Sequence, residues 1–250
     1  MVAAMKFLNN FYTKNGSGQF SVSTLQGSSF AKDVAGDFNP IHNPDSKRFC
    51  VPGDLMFAIA LQQYGIHQRM KCDFLGLVNA NTAFFYPNQT ATVESINLQV
   101  TSETDKPLLG LSYSGGVAND ATKIELLLKS YVAFSGQNFP HILVPLMEQH
   151  KVMINPKRPL VIYQNMSLEF ETLEFDTLEI KLENTEMIVN GKRGNATLYF
   201  SLYSAGQNIG SGVKNLVLSS LREYRSDAIN ELCDAYLASK TNYQNLRAAD

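Results

Sequence analysis

Pro52-Gly53-Asp54-Leu55-Met56-Phe57-Ala58-Ile59-Ala60-Leu61-Gln62-Gln63-Tyr64-Gly65 is the stretch on which the fold turns. Leu55, Met56, Ile59, Ala60, Gln63 and Tyr64 recur at three- and four-residue steps between a Pro-Gly start and a Gly stop, which predicts an α-helix. Apolar residues fill most of the other positions too, so the helix is expected to be mostly buried. A buried helix needs a wrapping, and the sequence after it changes character. β-rich runs at Phe74–Tyr86, Thr90–Thr101, Leu108–Val117 and Lys123–Ser135 are separated by Pro87-Asn88, Asp105-Lys106-Pro107 and Asn119-Asp120, all turn chemistry. Four strands are expected after one helix, with Phe84-Phe85-Tyr86 in the sheet core.

The second half repeats this order. A helix candidate, His141–His150, is weakened by Pro145, which would kink or shorten it. The β-rich runs Leu160–Leu173, Thr177–Met187, Asn195–Ser204 and Gly210–Tyr224 follow, with the hairpin dipeptide Asn190-Gly191 and the turn Ala205-Gly206-Gln207-Asn208 between them. Overlaid, Asn79–Tyr86 corresponds to Tyr163–Phe170, and Tyr131–Phe134 to Leu216–Ser219. The expected fold class is α+β: one helix wrapped by a strongly curved antiparallel sheet, made twice, with units at 1–138 and 139–250. Before the first unit's helix, residues 19–40 read as a short strand and then a mostly polar helix or loop. After the second unit comes an amphipathic helix, Asp227–Leu237, whose Ile229, Leu232, Cys233, Tyr236 and Leu237 share a face for the second sheet or a partner subunit.

Composition narrows the partners. The chain has 250 residues, is 44% hydrophobic and carries 21 Lys+Arg against 23 Asp+Glu, for a net charge of −2. That is an ordinary globular composition. With a sequence pI of about 6.1 there is no broad positive field to attract a phosphate backbone, so nucleic acid is not expected as a partner. No apolar run approaches the roughly 18 to 20 residues that cross a bilayer. The opening Met1–Asn10 lacks the features of a secretory signal. Cys50, Cys72 and Cys233 are scattered, without a Cys-x-x-Cys pair, and are expected as reduced thiols in a cytoplasmic protein. His67, His141 and His150 have no partners at metal-ligand spacing, so no metal is expected. Gly206–Gly212 leads from one strand-like run into another and reads as a hairpin rather than a phosphate loop.

One short stretch gathers chemistry. Asp37-Phe38-Asn39-Pro40-Ile41-His42 places a carboxylate, an amide and an imidazole just ahead of the buried helix. Asp37, Asn39, Pro40, His42 and then Gly53 match the Asp-x-Asn-Pro-x-His signature and following glycine of the MaoC-like (R)-specific enoyl-CoA hydratases, which the chain resembles over roughly residues 30–135. That resemblance implies a hot-dog fold, here a double hot-dog, and a thioester of coenzyme A or an acyl-carrier protein as substrate, with no other cofactor. It further implies that Asp37 and His42 hold and activate water, that Asn39 fixes the loop, and that the Gly53 N–H receives the negative charge of the thioester oxygen. Adding water to a double bond conjugated to a thioester requires a proton to leave water and another to reach the α-carbon, so an acid–base pair on one face is what the chemistry needs. Lys47, Arg48, Arg69 and Lys71 flank this stretch and are candidates for coenzyme A phosphates or a carrier protein. Arg69 and Lys71 read equally well as cations at a helix C-terminus.

The sequence departs from the signature in places. Pro52 stands where a histidine usually precedes the glycine, the connection from His42 to Gly53 is short, and Asp54 puts a carboxylate beside the oxyanion donor. Ala58 or Leu61 replaces a small polar residue on the inner face of the helix. Three functions are therefore expected in order: hydration of a trans-2-enoyl thioester, binding of an acyl thioester without turnover, and a thioesterase with Asp54 as base. A duplicated hot-dog chain fits a monomeric pseudo-dimer or a homodimer. A bland reading of Asp37, Asn39 and His42 also exists, in which the first two cap backbone amides and the third packs on the next helix.

Overall fold

The computed structural model describes residues 7–88, 95–156 and 158–249. The N-terminal expectation for Met1–Asn10 and the start of the run Thr90–Thr101 fall partly outside these residues. In chain order the elements are β1 (Thr13–Lys14), β2 (Phe20–Ser21), α1 (Thr24–Ser29), a π-helix (Phe30–Ala35), a 3-10 turn (Pro40–His42), α2 (Gly53–Tyr64), β3 (Ile66–Phe74), β4 (Phe84–Phe85), β5 (Ser95–Ser102) and β6 (Pro107–Ala118). They continue with α3 (Ala121–Gly136), α4 (Asn138–His141), α5 (Leu143–Gln149), β7 (Val152–Met153), β8 (Val161–Phe170), β9 (Glu179–Asn190), β10 (Arg193–Ser204), β11 (Gln207–Ser219), β12 (Arg222–Glu223) and α6 (Ser226–Ala249).

α2 is the helix predicted from its periodicity, and Leu55 through Leu61 are all buried. α1 and the π-helix fill the region read as a polar helix or loop, and α1 opens on a reciprocal Ser23–Gln26 capping box. The largest correction is at Lys123–Ser135, expected as a strand and found as helix α3. Asp120, read as a turn residue, is its N-cap and accepts the N–H groups of Thr122 and Lys123. The buried residues Ile124, Leu127, Leu128, Tyr131, Val132 and Ser135 recur at helical steps, a pattern hidden by β-branched and aromatic residues that also suit strands. Phe74–Tyr86 is corrected as well: β3 ends at its first residue and β4 holds only Phe84 and Phe85. Phe84 is fully buried, in the sheet core as expected.

Ten strands form one antiparallel sheet in the order β1-β2-β4-β5-β6-β3-β8-β11-β10-β9. From the centre outward, β3-β6-β5-β4 on one side mirrors β8-β11-β10-β9 on the other. The sheet halves join where Met70 and Cys72 of β3 face Leu168 and Met166 of β8. The internal correspondence is therefore β3 with β8 and β6 with β11, which replaces the overlay of Asn79–Tyr86 on Tyr163–Phe170 and of Tyr131–Phe134 on Leu216–Ser219. Helices pack against each half of the sheet, which makes this an α+β double hot-dog fold. α2 and α3 lie together in one core with residues of both halves, among them Met70, Leu111, Met166, Leu168 and Phe200. α5, the short helix expected at His141–His150, sits in a second cluster with Leu198, Leu216 and Leu218.

The predicted C-terminal helix is present and extends to Ala249. It reaches back across the chain: Tyr236 Oη accepts the Phe38 N–H at 3.1 Å and donates to the Gly36 carbonyl at 3.2 Å. Tyr243 and Arg247 bond Asp33 of the π-helix at 2.8 and 2.5 Å. α6 thus straps the loop that carries the Asp-x-Asn-Pro-x-His residues. No helix among the described residues is long and apolar enough to cross a membrane.

Candidate active site

The motif loop is rigid for local reasons. Gly36 ends the π-helix in the left-handed region (φ 65°), a conformation glycine adopts without a Cβ penalty. The chain then reverses, and the Asp37 N–H returns to the Ala31 carbonyl at 2.8 Å. Asp37 Oδ1 accepts the Asn39 N–H at 2.9 Å, and Asn39 Oδ1 accepts the Ile41 N–H at 3.1 Å. Pro40 opens the 3-10 turn that places His42. Capping of backbone amides by Asp37 and Asn39 is therefore real, but it occupies one oxygen of Asp37 and leaves the other for the histidine.

His42 Nδ1 lies 2.8 Å from the Cys50 carbonyl. A carbonyl only accepts, so Nδ1 carries the proton and Nε2 of the neutral ring is bare. That bare nitrogen faces Asp37 Oδ2 at 3.7 Å, with the two side chains 13% and 20% exposed. Two acceptors held this close are satisfied together by one small molecule that donates to both. Gly53, the first residue of α2, has an N–H with no partner inside its helix. A Cβ at Gly53 would sit 2.9 Å from the Phe74 ring, which would have to shift.

Asp37, Asn39, His42 and Gly53 line one cavity of about 340 Å³. Its apolar wall includes Met56, Phe74, Leu109, Ile162, Leu216 and Leu232. Ser135, Asn138 and Tyr163 line the same cavity, as does Tyr236 from α6. Lys47 and Arg48 are exposed on the connection to α2 and do not belong to this wall. Arg69 and Lys71 lie in β3, not at a helix end, and pair with Glu169 at 2.8 Å and Asp73 at 2.9 Å.

Behind the cavity sits a charged network. Asp54 is buried, is not among the cavity-lining residues, and accepts the Ser135 hydroxyl at 2.5 Å. Lys214, with no exposed surface, donates to the same Ser135 oxygen. Tyr163 Oη is 2.9 Å from Ser135 Oγ, and the Lys214 ammonium lies 3.6 Å from the centre of the Tyr163 ring, a cation–π contact. Burial pulls the Lys214 pKa down to about 8, against the upward pull of Asp54 and Asp37. Burial also raises the Asp54 pKa, with Lys214 and the Ser135 hydrogen bond opposing it. Asp54 is therefore not an isolated charge beside the Gly53 N–H.

Sequence reasoning missed Ser135, Asn138, Tyr163 and Lys214. For Lys214 a signal existed: Gly212, Lys214, Leu216 and Leu218 share the inward phase of β11, and a lysine in that phase is out of place unless it has partners. Ser135 was hidden by the strand reading of α3. No group of three or more His, Cys, Asp or Glu side chains suited to a metal occurs among the described residues, and Cys50, Cys72 and Cys233 are free thiols.

Solved structures with a similar course of the chain include three from mycobacteria. An acyl-CoA thioesterase II, TesB2, from Mycobacterium marinum is 10% identical over 88% of this chain and 98% of that one, with a TM-score of 0.43. A tesB protein from Mycobacterium avium subspecies paratuberculosis is 10% identical over 86% and 98%, with a TM-score of 0.47. A conserved hypothetical protein from Mycobacterium tuberculosis, described as having a double hotdog fold, is 7% identical over 82% and 96%, with a TM-score of 0.43. No curated protein matches the sequence. Residues 6–227 match the model of the family described as protein of unknown function (DUF3581), and the chain belongs to that family.

Proposed function

We propose that the cavity binds a fatty acyl thioester and hydrates a trans-2-enoyl thioester reversibly to the 3-hydroxyacyl thioester, the (R) product being what the MaoC-like resemblance implies. The observation that carries this reading is the pair of facing acceptors, Asp37 Oδ2 and His42 Nε2, 3.7 Å apart in one cavity wall with Gly53. A water donating to both is oriented and made more nucleophilic. Its oxygen adds to the β-carbon, one proton passes to the acid–base pair, and the pair returns a proton to the α-carbon, so that atoms balance. The negative charge that develops on the thioester oxygen is stabilised there by a hydrogen bond donated by the Gly53 N–H at the positive end of α2, an interaction typically worth about 3 kcal/mol in a transition state. Pro52 leaves that N–H intact. Lys47 and Arg48, exposed near the motif, are proposed to meet the phosphates of coenzyme A or the surface of an acyl-carrier protein.

The test is the purified full chain with trans-2-enoyl-CoA of short and medium length, following loss of the conjugated thioester. Hydration is expected, and Asp37→Asn and His42→Ala should each lower it at least about a hundredfold. Binding of acyl-CoA without hydration at any length would replace this reading with that of a non-catalytic binder. Hydrolysis of saturated acyl-CoA would favour a thioesterase. Asp54 lies behind Ser135 rather than in the cavity wall, which weighs against its serving as the base for that reaction.

A further inference from the structure

Among the described residues, the buried side-chain atoms without a hydrogen-bond partner are Asp54 Oδ1, the hydroxyls of Tyr113 and Tyr131, and both Nδ2 and Oδ1 of Asn138. Of these residues only Asn138 lines the cavity. It is 4% exposed, and nothing among the described residues bonds its amide. Burying a carboxamide with neither end paired is unfavourable, and such groups are rare in native structures unless something binds them. Two polar neighbours on that wall are committed: Ser135 bonds Asp54, Lys214 and Tyr163, and Tyr236 bonds the motif loop. Asn138 is a lining residue whose donor and acceptor both lack a partner among the described residues.

We infer that Asn138 is a ligand-recognition residue, whose carboxamide pairs with a second hydrogen-bonding group of the ligand, an amide or hydroxyl, distinct from the thioester carbonyl. This rests on the acyl-thioester reading and narrows it, because a ligand that is hydrocarbon beyond its thioester leaves Asn138 unpaired. The group has two possible sources in one molecule: an amide of the pantetheine arm, or a hydroxyl on the acyl chain. A site built to hydrogen-bond a ligand group discriminates strongly against analogues that lack it.

Calorimetric titration of the wild-type full chain, Asn138→Leu and Asn138→Ala with three saturated probes tests this. The probes are hexanoyl-CoA, 5-hydroxyhexanoyl-CoA, and S-ethyl hexanethioate, which has no amide. If the pantetheine amide is the partner, both variants bind hexanoyl-CoA about tenfold or more weakly and bind the ethyl thioester as wild type does. If the chain hydroxyl is the partner, hexanoyl-CoA binds all three proteins alike, and a wild-type preference of about tenfold for the hydroxylated probe disappears in the variants. In either case the variants should melt no lower than wild type, because the Asn138 side-chain amide bonds nothing among the described residues. The inference is overturned if wild type binds the probes and the variants bind them identically, or if both variants melt well below wild type. Failure of every probe to bind wild type overturns the acyl-thioester reading itself, and this inference with it.

Discussion

Lys214 shows how one residue can tie stability to the site. Its ammonium is fully buried, donates to the Ser135 hydroxyl and lies over the face of Tyr163, and Asp54 lies on the other side of the same serine. Replacing Lys214 by Met should remove the cation and leave the Asp54 carboxylate buried without its counter-charge. A loss of about 3 to 5 kcal/mol in urea unfolding is expected, with most of it recovered in Lys214→Met combined with Asp54→Asn. The pH dependence has a definite sign. The native pKa of Lys214 is near 8 against 10.5 for the free side chain, so between these values the unfolded chain holds a proton that the native chain has released. Its contribution to stability therefore rises with pH across that window. Subtracting the Lys214→Met profile from that of wild type should expose the rise; a flat difference would refute it.

At the scale of elements, the site is made by how helices meet. The C-terminal end of α3 approaches the π-helix so closely that a Cβ on Gly136 would lie 1.7 Å from the Ala35 carbonyl oxygen. Gly136→Ala should force these helices apart and cost about 3 kcal/mol, read by denaturant unfolding, while loosening the loop that follows Ala35. Tyr236 of α6 offers a milder test. Tyr236→Phe leaves the Phe38 N–H without its partner, and a loss of about 1 to 2 kcal/mol is expected. If hydration is measured, that variant should lose more in activity than in stability, because the bond it breaks is adjacent to Asp37. α2 was legible in the sequence, since burial on all sides and clear Pro-Gly and Gly bounds leave one reading. α3 was not, because residues such as Ile124, Tyr131, Val132 and Phe134 suit strand and helix alike and only the Asp120 cap decides between them.

On the scale of the whole molecule, the two halves of the sheet share both hydrogen bonds and core. β3 pairs with β8, and α2 and α3 bury their residues in a single cluster that includes strands from each half. The larger core is shared by both halves, so the protein should unfold in one cooperative transition. Urea profiles by far-ultraviolet circular dichroism and by tyrosine fluorescence, the intrinsic probe available because the chain has no Trp, should coincide. Two separated transitions would show that the halves are stable independently.

The sequence by itself determined the architecture and the catalytic candidates: a buried helix under antiparallel strands, that order repeated, and a six-residue loop whose Asp37, Asn39 and His42 sit close together because they are close in the chain. Short-range periodicity and turn chemistry carry that information. Only the tertiary structure decided which strands correspond, that Asp54 is joined to Lys214 through Ser135, and that Asn138 and Tyr236 line the same cavity as Asp37. These contacts join residues up to 200 positions apart, and their partners are chosen by how α3, β11 and α6 pack, which no local pattern encodes.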